Sequence, residues 1–122
     1  MGKKNIKKTL PYQLGKKGEE LARQYLERLG WDIIFKNYRC KGGEIDLGAV
    51  DLEGILHLVE VKSGRGEEIG NRFFPSQFNR IEKCYYRLIS QFPQLEGLPF
   101  QLDGAVVDWE KERVYLIPMI TL

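Results

Sequence analysis

The chain is predicted to have an α/β fold in which helices pack against a central sheet. Three features of the sequence predict it: two segments with apolar residues at helical spacing, strand-like runs between and after them, and a short turn-like segment that joins two of the runs. Their order along the chain is αβββαββ. With 122 residues, of which 43% are hydrophobic, we expect residues 1–122 to form a single domain with its own core.

The first helix and the first strand follow from the periods of their apolar residues. From Leu14 to Leu29 the apolar residues recur at helical spacing, and Gly30 is placed to end the helix. Trp31, Ile33 and Phe35 then recur at the two-residue period of a strand. The sequence therefore predicts a helix followed directly by a strand.

The middle of the chain is predicted to be a β-hairpin. The strands Glu44–Val50 and Ile55–Ser63 flank a short turn-like segment that ends at Gly54. A three-residue loop with Gly54 in the left-handed conformation would pair Asp51 with Ile55. A two-residue loop would shift the register by one and turn the side chains of one strand to the other face. The length of this loop therefore determines which residues of the two strands lie opposite each other.

The second half of the chain is predicted to hold one more helix and two more strands. Apolar residues from Phe78 to Phe92 have spacings of three and four, and Pro93 closes this helix. Phe100–Asp108 and Arg113–Ile117 have the character of strands separated by a charged turn. Pro118 favours a position at the edge of the sheet, because proline lacks the N–H that an inner strand donates.

Basic residues are concentrated at the beginning of the chain. The net charge of +2 says little about partners, but six lysines precede the first acidic residue, Glu19. We expect residues 1–11 to form a basic arm, which either binds a polyphosphate such as DNA or is a solvated, flexible tail. The six lysines before Glu19 are Lys3, Lys4, Lys7, Lys8, Lys16 and Lys17.

Cysteine usage and hydropathy limit the classes of protein to which the chain can belong. Cys40 and Cys84 form no CxxC pair and have no neighbouring histidine, so we expect neither a disulfide nor a structural zinc site. No apolar run reaches the roughly 20 residues of a membrane span, and no signal-peptide hydrophobic region follows the lysine-rich start. We therefore expect a cytoplasmic protein with no membrane partner.

The predicted hairpin brings two carboxylates and an ammonium together. With a three-residue loop, Asp46 lies across from Glu60 and Glu44 lies across from Lys62. On the first helix, Glu19 falls at the border of the buried stripe and is able to face the sheet. Oxygen ligands of this kind suit Mg²⁺ or Mn²⁺. A solvent-exposed strand face with alternating charges is the competing interpretation, and spacing alone favours it.

Three segments together resemble a known family. They are Gly15, Gly18, Glu19 and Ala22, then Gly43-Glu44-Ile45-Asp46-Leu47, then Val59-Glu60-Val61-Lys62. They are similar to the uncharacterised bacterial YraN-type family of predicted endonucleases, which is related to archaeal Holliday-junction resolvases and to the PD-(D/E)xK superfamily. The resemblance covers residues 12–108 and implies a restriction-endonuclease-like αβββαβ core, with a central mixed sheet flanked by helices.

The resemblance also implies roles for particular residues. Asp46 and Glu60 would bind metal together with the Val61 carbonyl, Lys62 would assist the attacking water, and Glu19 would be an acidic residue carried by the helix. Glu44 is expected to support these residues, Lys83 matches a lysine of the second helix, and Asp103 matches a later aspartate. Two positions depart from the pattern: Ile45 stands where the superfamily's name has proline, and Arg65 comes one residue after the family's usual arginine.

The sequence therefore predicts a Mg²⁺- or Mn²⁺-dependent endonuclease that hydrolyses DNA, with branched or structured duplexes as one substrate class. A binding module that keeps the fold without cutting is the first alternative, and a protein-interaction subunit is the second. A homodimer would suit symmetric cleavage of a junction, which needs two active sites. The residues expected to contact nucleic acid are Lys16, Lys17, Arg65, Arg80, Lys83 and Arg87.

Overall fold

The computed structural model describes residues 11–64 and 75–121, and within them the side chains of residues 16–64 and 79–118. The basic arm up to residue 10, Arg65 and the side chain of Phe78 lie outside this description. The helices and strands follow the predicted order αβββαββ. They are α1 (Pro11–Arg28), β1 (Asp32–Cys40), β2 (Gly43–Val50), β3 (Leu56–Gly64), α2 (Pro75–Gln91), β4 (Phe100–Asp108) and β5 (Arg113–Thr121).

The five strands form one mixed sheet in the order β1-β2-β3-β4-β5. Strands β3 and β4 are parallel, and the other three neighbouring pairs are antiparallel. A parallel pair needs a long crossover connection, and α2 lies in the one between β3 and β4. The α/β class with a mixed sheet and helices is thus confirmed.

Each face of the sheet packs against one helix. On the α1 face the buried cluster contains Ala22, Leu26, Leu47, Ala49, Val59, Ala105 and Val107. On the α2 face it contains Ile45, Leu56, Leu58, Ile81, Cys84, Tyr85, Leu88, Leu95 and Leu102. Because both faces of β3 are covered, its apolar residues pack into both clusters.

The β2–β3 hairpin has the predicted three-residue loop. Gly54 has a φ of +87°, which glycine adopts without strain, and its N–H donates to the Asp51 carbonyl at 3.1 Å. The Asp51 N–H donates to the carbonyl of Ile55 at 2.9 Å, and the ladder continues from the pair Val50 and Leu56. The register of the hairpin is therefore the one that brings the carboxylates together.

Several elements are longer than the sequence predicted. Strand β5 continues to Thr121, past the predicted end at Ile117, and contains Pro118. The edge position predicted from this proline is confirmed, because β5 is the last strand of the sheet. A register shift between Leu102 and Asp103 on β4 lies opposite it. The prediction ended the strand at Ile117 because of the proline that follows, but an edge strand can contain proline.

His57 lies at the hairpin end of the sheet and has a structural role there. It is buried between two carboxylates: its Nε2 lies 2.8 Å from Asp51 and its Nδ1 contacts Asp103. Burial lowers the pKa of His57, but the hydrogen bonds to Asp103 and Asp51 outweigh it and raise the pKa above its ordinary value. Gln101 donates to Asp103 at 2.7 Å, and Trp31 stacks on the imidazole with ring centroids 4.0 Å apart. Asp103 is therefore part of a buried hydrogen-bond network.

The expectation that the two cysteines stay unpaired is wrong. Cys40, at the end of β1, and Cys84, on α2, form a disulfide across a sequence separation of 44. Spacing along the chain gave no hint of this contact, because it arises only when α2 packs over the β1–β2 turn. The bond fixes α2 to the end of β1.

We predict that Cys84→Ser lowers the free energy of unfolding. A cross-link closing 44 residues restricts the unfolded chain, and the chain-entropy model assigns it about 4 kcal/mol, with measured values of about 2–4 kcal/mol. Urea unfolding monitored by circular dichroism measures the difference. Cys40→Ser should lose the same amount, and the double variant no more than either single one. Equal unfolding curves for oxidised and reduced wild type would contradict a stabilising disulfide.

Candidate functional site

A cleft of about 360 Å³ opens where β2 and β3 separate. The last pair of their ladder at this end is Leu47 with Val59, and continuing the register by one residue sets Asp46 opposite Glu60. Beyond this pair, toward the beginning of β2 and the end of β3, the two backbones are not paired, so side chains of both strands face a shared space. The cleft is lined by Gly42, Gly43, Glu44, Asp46, Glu60, Lys62 and Arg80.

Three carboxylates crowd together beside this cleft. One oxygen atom from each of Glu19, Glu44 and Asp46 lies within 4.8 Å of the other two. Glu60, expected to be the partner of Asp46 in metal binding, is not in this closest group, although it lines the same cleft. Its Oε2 atom lies 3.3 Å from Lys62 Nζ. The acid cluster, defined as Glu19, Glu44 and Asp46, thus adjoins a Glu60–Lys62 ion pair.

Glu19 reaches the sheet because α1 approaches it closely at Gly18. A Cβ atom at Gly18 would lie only 1.8 Å from Ser63 Oγ on β3, so a larger residue would push the helix away. The Glu19 side chain is 21% exposed, as expected for a residue turned toward the sheet. The side chain of Glu20 is 47% exposed and binds Arg23. The helix therefore presents one of its two neighbouring glutamates to Glu44 and Asp46.

Asp46 has the most perturbed electrostatics of the cluster. Its residue is 7% exposed, and its Oδ2 accepts a hydrogen bond from the Val61 N–H at 2.8 Å. Burial, followed by repulsion from Glu60 and Glu19, raises the pKa of Asp46 to about 8, against the lowering effect of the Val61 N–H. Oxygen donors that repel one another in this way are the ligands that a hard divalent cation stabilises. The donor set therefore fits a hard divalent cation.

The two basic side chains of the cleft lie beside Glu60. Burial raises the pKa of Glu60 above its ordinary value, while the positive charges of Lys62 and Arg80 act in the opposite direction. Lys62 comes from β3 and Arg80 from α2, so the positive side of the cleft is assembled from two elements. Positive and negative groups thus occupy adjoining parts of one cleft.

Some predicted contact residues lie at the cleft and others do not. Lys16 Nζ lies 3.6 Å from Glu19, and Arg80 lines the cleft. Lys17, Lys83 and Arg87 are exposed and are not among its lining residues. Their expected role in nucleic-acid binding stays a prediction.

Sequence reasoning missed two residues beside the acid cluster. Arg39 Nε donates to Glu44 Oε1 at 2.9 Å. Asn37, partly buried on β1, has its side-chain amide between Glu19 and Lys16. Neither residue lies in the motifs that carry the family resemblance. Arg39 pairs with Glu44 across the β1–β2 ladder, whereas the contacts of Asn37 depend on the packing of α1.

The chain belongs to a family defined by sequence. The family described as "Uncharacterised protein family UPF0102" matches residues 18–102, a span that holds both the acid cluster and the Glu60–Lys62 pair. This is the YraN-type family that the motifs resemble.

Relatives described as UPF0102 proteins align over most of the chain. One from Desulforamulus reducens is 49% identical over 106 residues, covering 76% of this chain and 86% of the relative. One from Campylobacter concisus is 34% identical over 113 residues, covering 91% of this chain and 96% of the relative. One from Synechococcus is 34% identical over 106 residues, covering 84% and 80%.

A solved structure of a bacterial homing endonuclease has a similar fold. Its TM-score is 0.52 at 23% sequence identity, and the match covers 89% of this chain and 65% of the endonuclease chain. The likeness concerns the fold, so the chain has an endonuclease-like α/β architecture. In the part of the chain that is described, no helix is long and apolar enough to cross a membrane.

We predict that Asp46→Asn stabilises the metal-free protein at high pH. Because the pKa of Asp46 is about 8 when folded and about 4 when unfolded, the folded protein holds a proton between these values that the unfolded chain has lost. The stability of the metal-free wild type should therefore fall as pH rises from about 4 to about 8. Asparagine does not ionise and so removes this loss. The melting temperature of the variant should be several degrees above that of the wild type at pH 8 and equal to it near pH 4.

Thermal unfolding in a chelator, followed by circular dichroism across this pH window, measures the difference. Glu53→Gln, in the exposed tip of the hairpin, is the control and should show no gain that depends on pH. A melting temperature of Asp46→Asn at or below that of wild type at pH 8 would contradict the account of a crowded, buried carboxylate.

Proposed function

We propose that the chain is a Mg²⁺- or Mn²⁺-dependent endonuclease that hydrolyses DNA phosphodiester bonds. The observation that carries this proposal is one cleft, at the separating ends of two strands, in which Glu44 and Asp46 of the acid cluster lie with Lys62 and Arg80. Its endonuclease-like fold adds support. A cation in this cleft would supply positive charge next to the scissile phosphate and lower the pKa of water.

The charges of the cleft suit a bound cation. Three carboxylates and two basic side chains line it, and Glu19 adds a further carboxylate beside Asp46. A cation there would stabilise the ionised form of Asp46, whose pKa is about 8 without one, and would add positive charge where a phosphodiester enters. It would be held by Asp46, with Glu19, Glu44 and Glu60 as further oxygen donors and the Val61 carbonyl as the ligand that the family resemblance implies.

Lys62 is the residue proposed to act on the reacting atoms. Its ammonium is held 3.3 Å from Glu60 Oε2, and its side chain is 27% exposed, so it is both oriented and open to substrate. From this position it would donate a hydrogen bond to the attacking water or to a phosphate oxygen and stabilise the negative charge that gathers there. Glu60 would fix the ammonium and stop it from binding Asp46 directly.

Arg80 is proposed to hold the phosphate that is cut or its neighbour. A guanidinium offers paired N–H donors that match two phosphate oxygens, and Arg80 is the α2 side chain that lines the cleft. Lys83 and Arg87 follow it on the same helix at helical spacing and are exposed, so they extend the positive surface away from the cleft. Lys16 and Lys17 would bind phosphates on the α1 side, and Arg65 is proposed to join them.

The proposed phosphate contacts also bear on the form of DNA that is bound. The proposed phosphate ligands lie on both helices, which suits a duplex or a branched duplex better than a short single strand. Cutting a junction symmetrically would require a homodimer, which is part of the proposal. A cytoplasmic location also stays a prediction from the sequence.

A cleavage assay tests the proposal. Purified protein is incubated with linear, nicked and four-way DNA in Mg²⁺, in Mn²⁺ and in EDTA. We expect products only with a cation, and a loss of roughly 100-fold or more in rate for Asp46→Asn and Lys62→Met, since each removes several kcal/mol of transition-state stabilisation. Lys111→Met, in the exposed β4–β5 turn, is the matched control and should cleave like wild type.

Two outcomes would contradict the proposal in different ways. Full activity of Asp46→Asn would place the chemistry elsewhere. Salt-dependent DNA binding without any product, unchanged by the same variants, would instead identify a binding module that keeps the nuclease fold.

A further inference from the structure

Besides the register shift between Ile33 and Phe35, the ladder between β1 and β2 lacks one pair of residues. Lys36 pairs with Leu47 and Tyr38 pairs with Ile45, but no pairing joins the residues between them, Asn37 and Asp46. Asn37 has a φ of +54°, in the left-handed region that few residues other than glycine and asparagine adopt readily. The interruption therefore lies directly opposite the most buried carboxylate of the acid cluster.

The chain changes faces at this pair. Residues two apart on a regular strand point to the same side, yet Leu47 packs in the α1 cluster and Ile45 in the α2 cluster. On β1, Tyr38 likewise packs against the α2 cluster. The alternation expected from the sequence thus fails at Asp46, and its carboxylate turns to the backbone N–H of Val61 on β3.

The Asn37 side chain reaches across to α1. With its amide nitrogen facing the helix, it donates to Glu19 Oε1 at 3.0 Å, and its oxygen accepts from Lys16 Nζ at 3.2 Å. Both partners are one turn apart on α1 and also bind each other, with 3.6 Å between Lys16 Nζ and Glu19 Oε1. A small cavity of about 220 Å³ beside these side chains is lined by Lys16, Glu19, Glu20, Lys36, Asn37 and Leu47.

We propose that Asn37 is a positioning residue that holds the Glu19 carboxylate against Asp46. Glu19 sits on a helix and Asp46 on a strand, and their repulsion would drive a flexible glutamate side chain into solvent. The left-handed backbone of Asn37 aims its amide at α1, and the amide supplies the donor that keeps Glu19 in place. Asn37 acts through Glu19 and does not touch the substrate.

This role rests on the proposed function, and metal binding tests it without a cleavage assay. In Asn37→Gly, the new glycine also adopts a positive φ without strain, but the side-chain amide is removed. We expect its dissociation constant for Mn²⁺, measured by electron paramagnetic resonance, to rise roughly 10- to 100-fold, the cost typical of losing a group that orients a metal ligand. Its melting temperature should stay near that of wild type.

The chain offers a matched control for the backbone. Glu112, in the turn before β5, has a φ of +53° and is the other non-glycine residue with positive φ among those described. Glu112→Gly makes the same change of backbone freedom away from the cleft, so its Mn²⁺ affinity should equal that of wild type.

A double-mutant cycle decides whether Asn37 acts through Glu19. In a Glu19→Gln background, Asn37→Gly should change Mn²⁺ affinity by less than about threefold, because the interaction it removes no longer orients a carboxylate. An equal loss in both backgrounds would overturn the positioning role, and so would wild-type affinity in Asn37→Gly. Failure of the wild type itself to bind Mn²⁺ would overturn the proposed function, and this role with it.

Discussion

The register of the β2–β3 hairpin is the constraint on which the candidate site depends. Gly54 in its left-handed conformation sets the loop at three residues, and Asp51 fastens both sides of it through its backbone and its carboxylate. A slip of one residue would send every side chain of one strand to the opposite face. Asp46 and Glu60 would then lie on different sides of the sheet, and no cleft chemistry would remain.

The site is unfavourable for folding, and other parts of the molecule offset that cost. A buried carboxylate beside two or three others destabilises the metal-free fold, as the raised pKa of Asp46 expresses. Stabilisation comes from two packed faces of the sheet, from the buried His57 network at the hairpin end, and from the disulfide between β1 and α2. Functional sites commonly hold such strain, since their residues are arranged for a ligand.

Much of the fold could be predicted from the sequence because its cues are local. Apolar periods predicted the order of elements, the glycine of the hairpin predicted the loop, and helix geometry predicted that Glu19 is able to face the sheet. Other features depend on tertiary contacts. The pairing of Cys40 with Cys84 requires α2 to lie over the β1–β2 turn, and nothing in either segment alone encodes it.

The acid cluster shows the same division. Continued from the pair Leu47 and Val59, the register sets Asp46 opposite Glu60 as predicted. Strand alternation fails between Ile45 and Leu47, opposite the left-handed Asn37. Asp46 forms a close group with Glu44 and Glu19, to which Glu60 does not belong. Family resemblance gave the residue types, and only the structure gave their distances.

The central claim is that the acid cluster binds a divalent cation, and anomalous diffraction from crystals soaked in Mn²⁺ tests it most directly. The account predicts a peak at about 2.0–2.3 Å from an oxygen of Asp46, with Glu19 or Glu44 as a further ligand. A peak elsewhere, or none at Asp46 when Mn²⁺ is in excess, would contradict it.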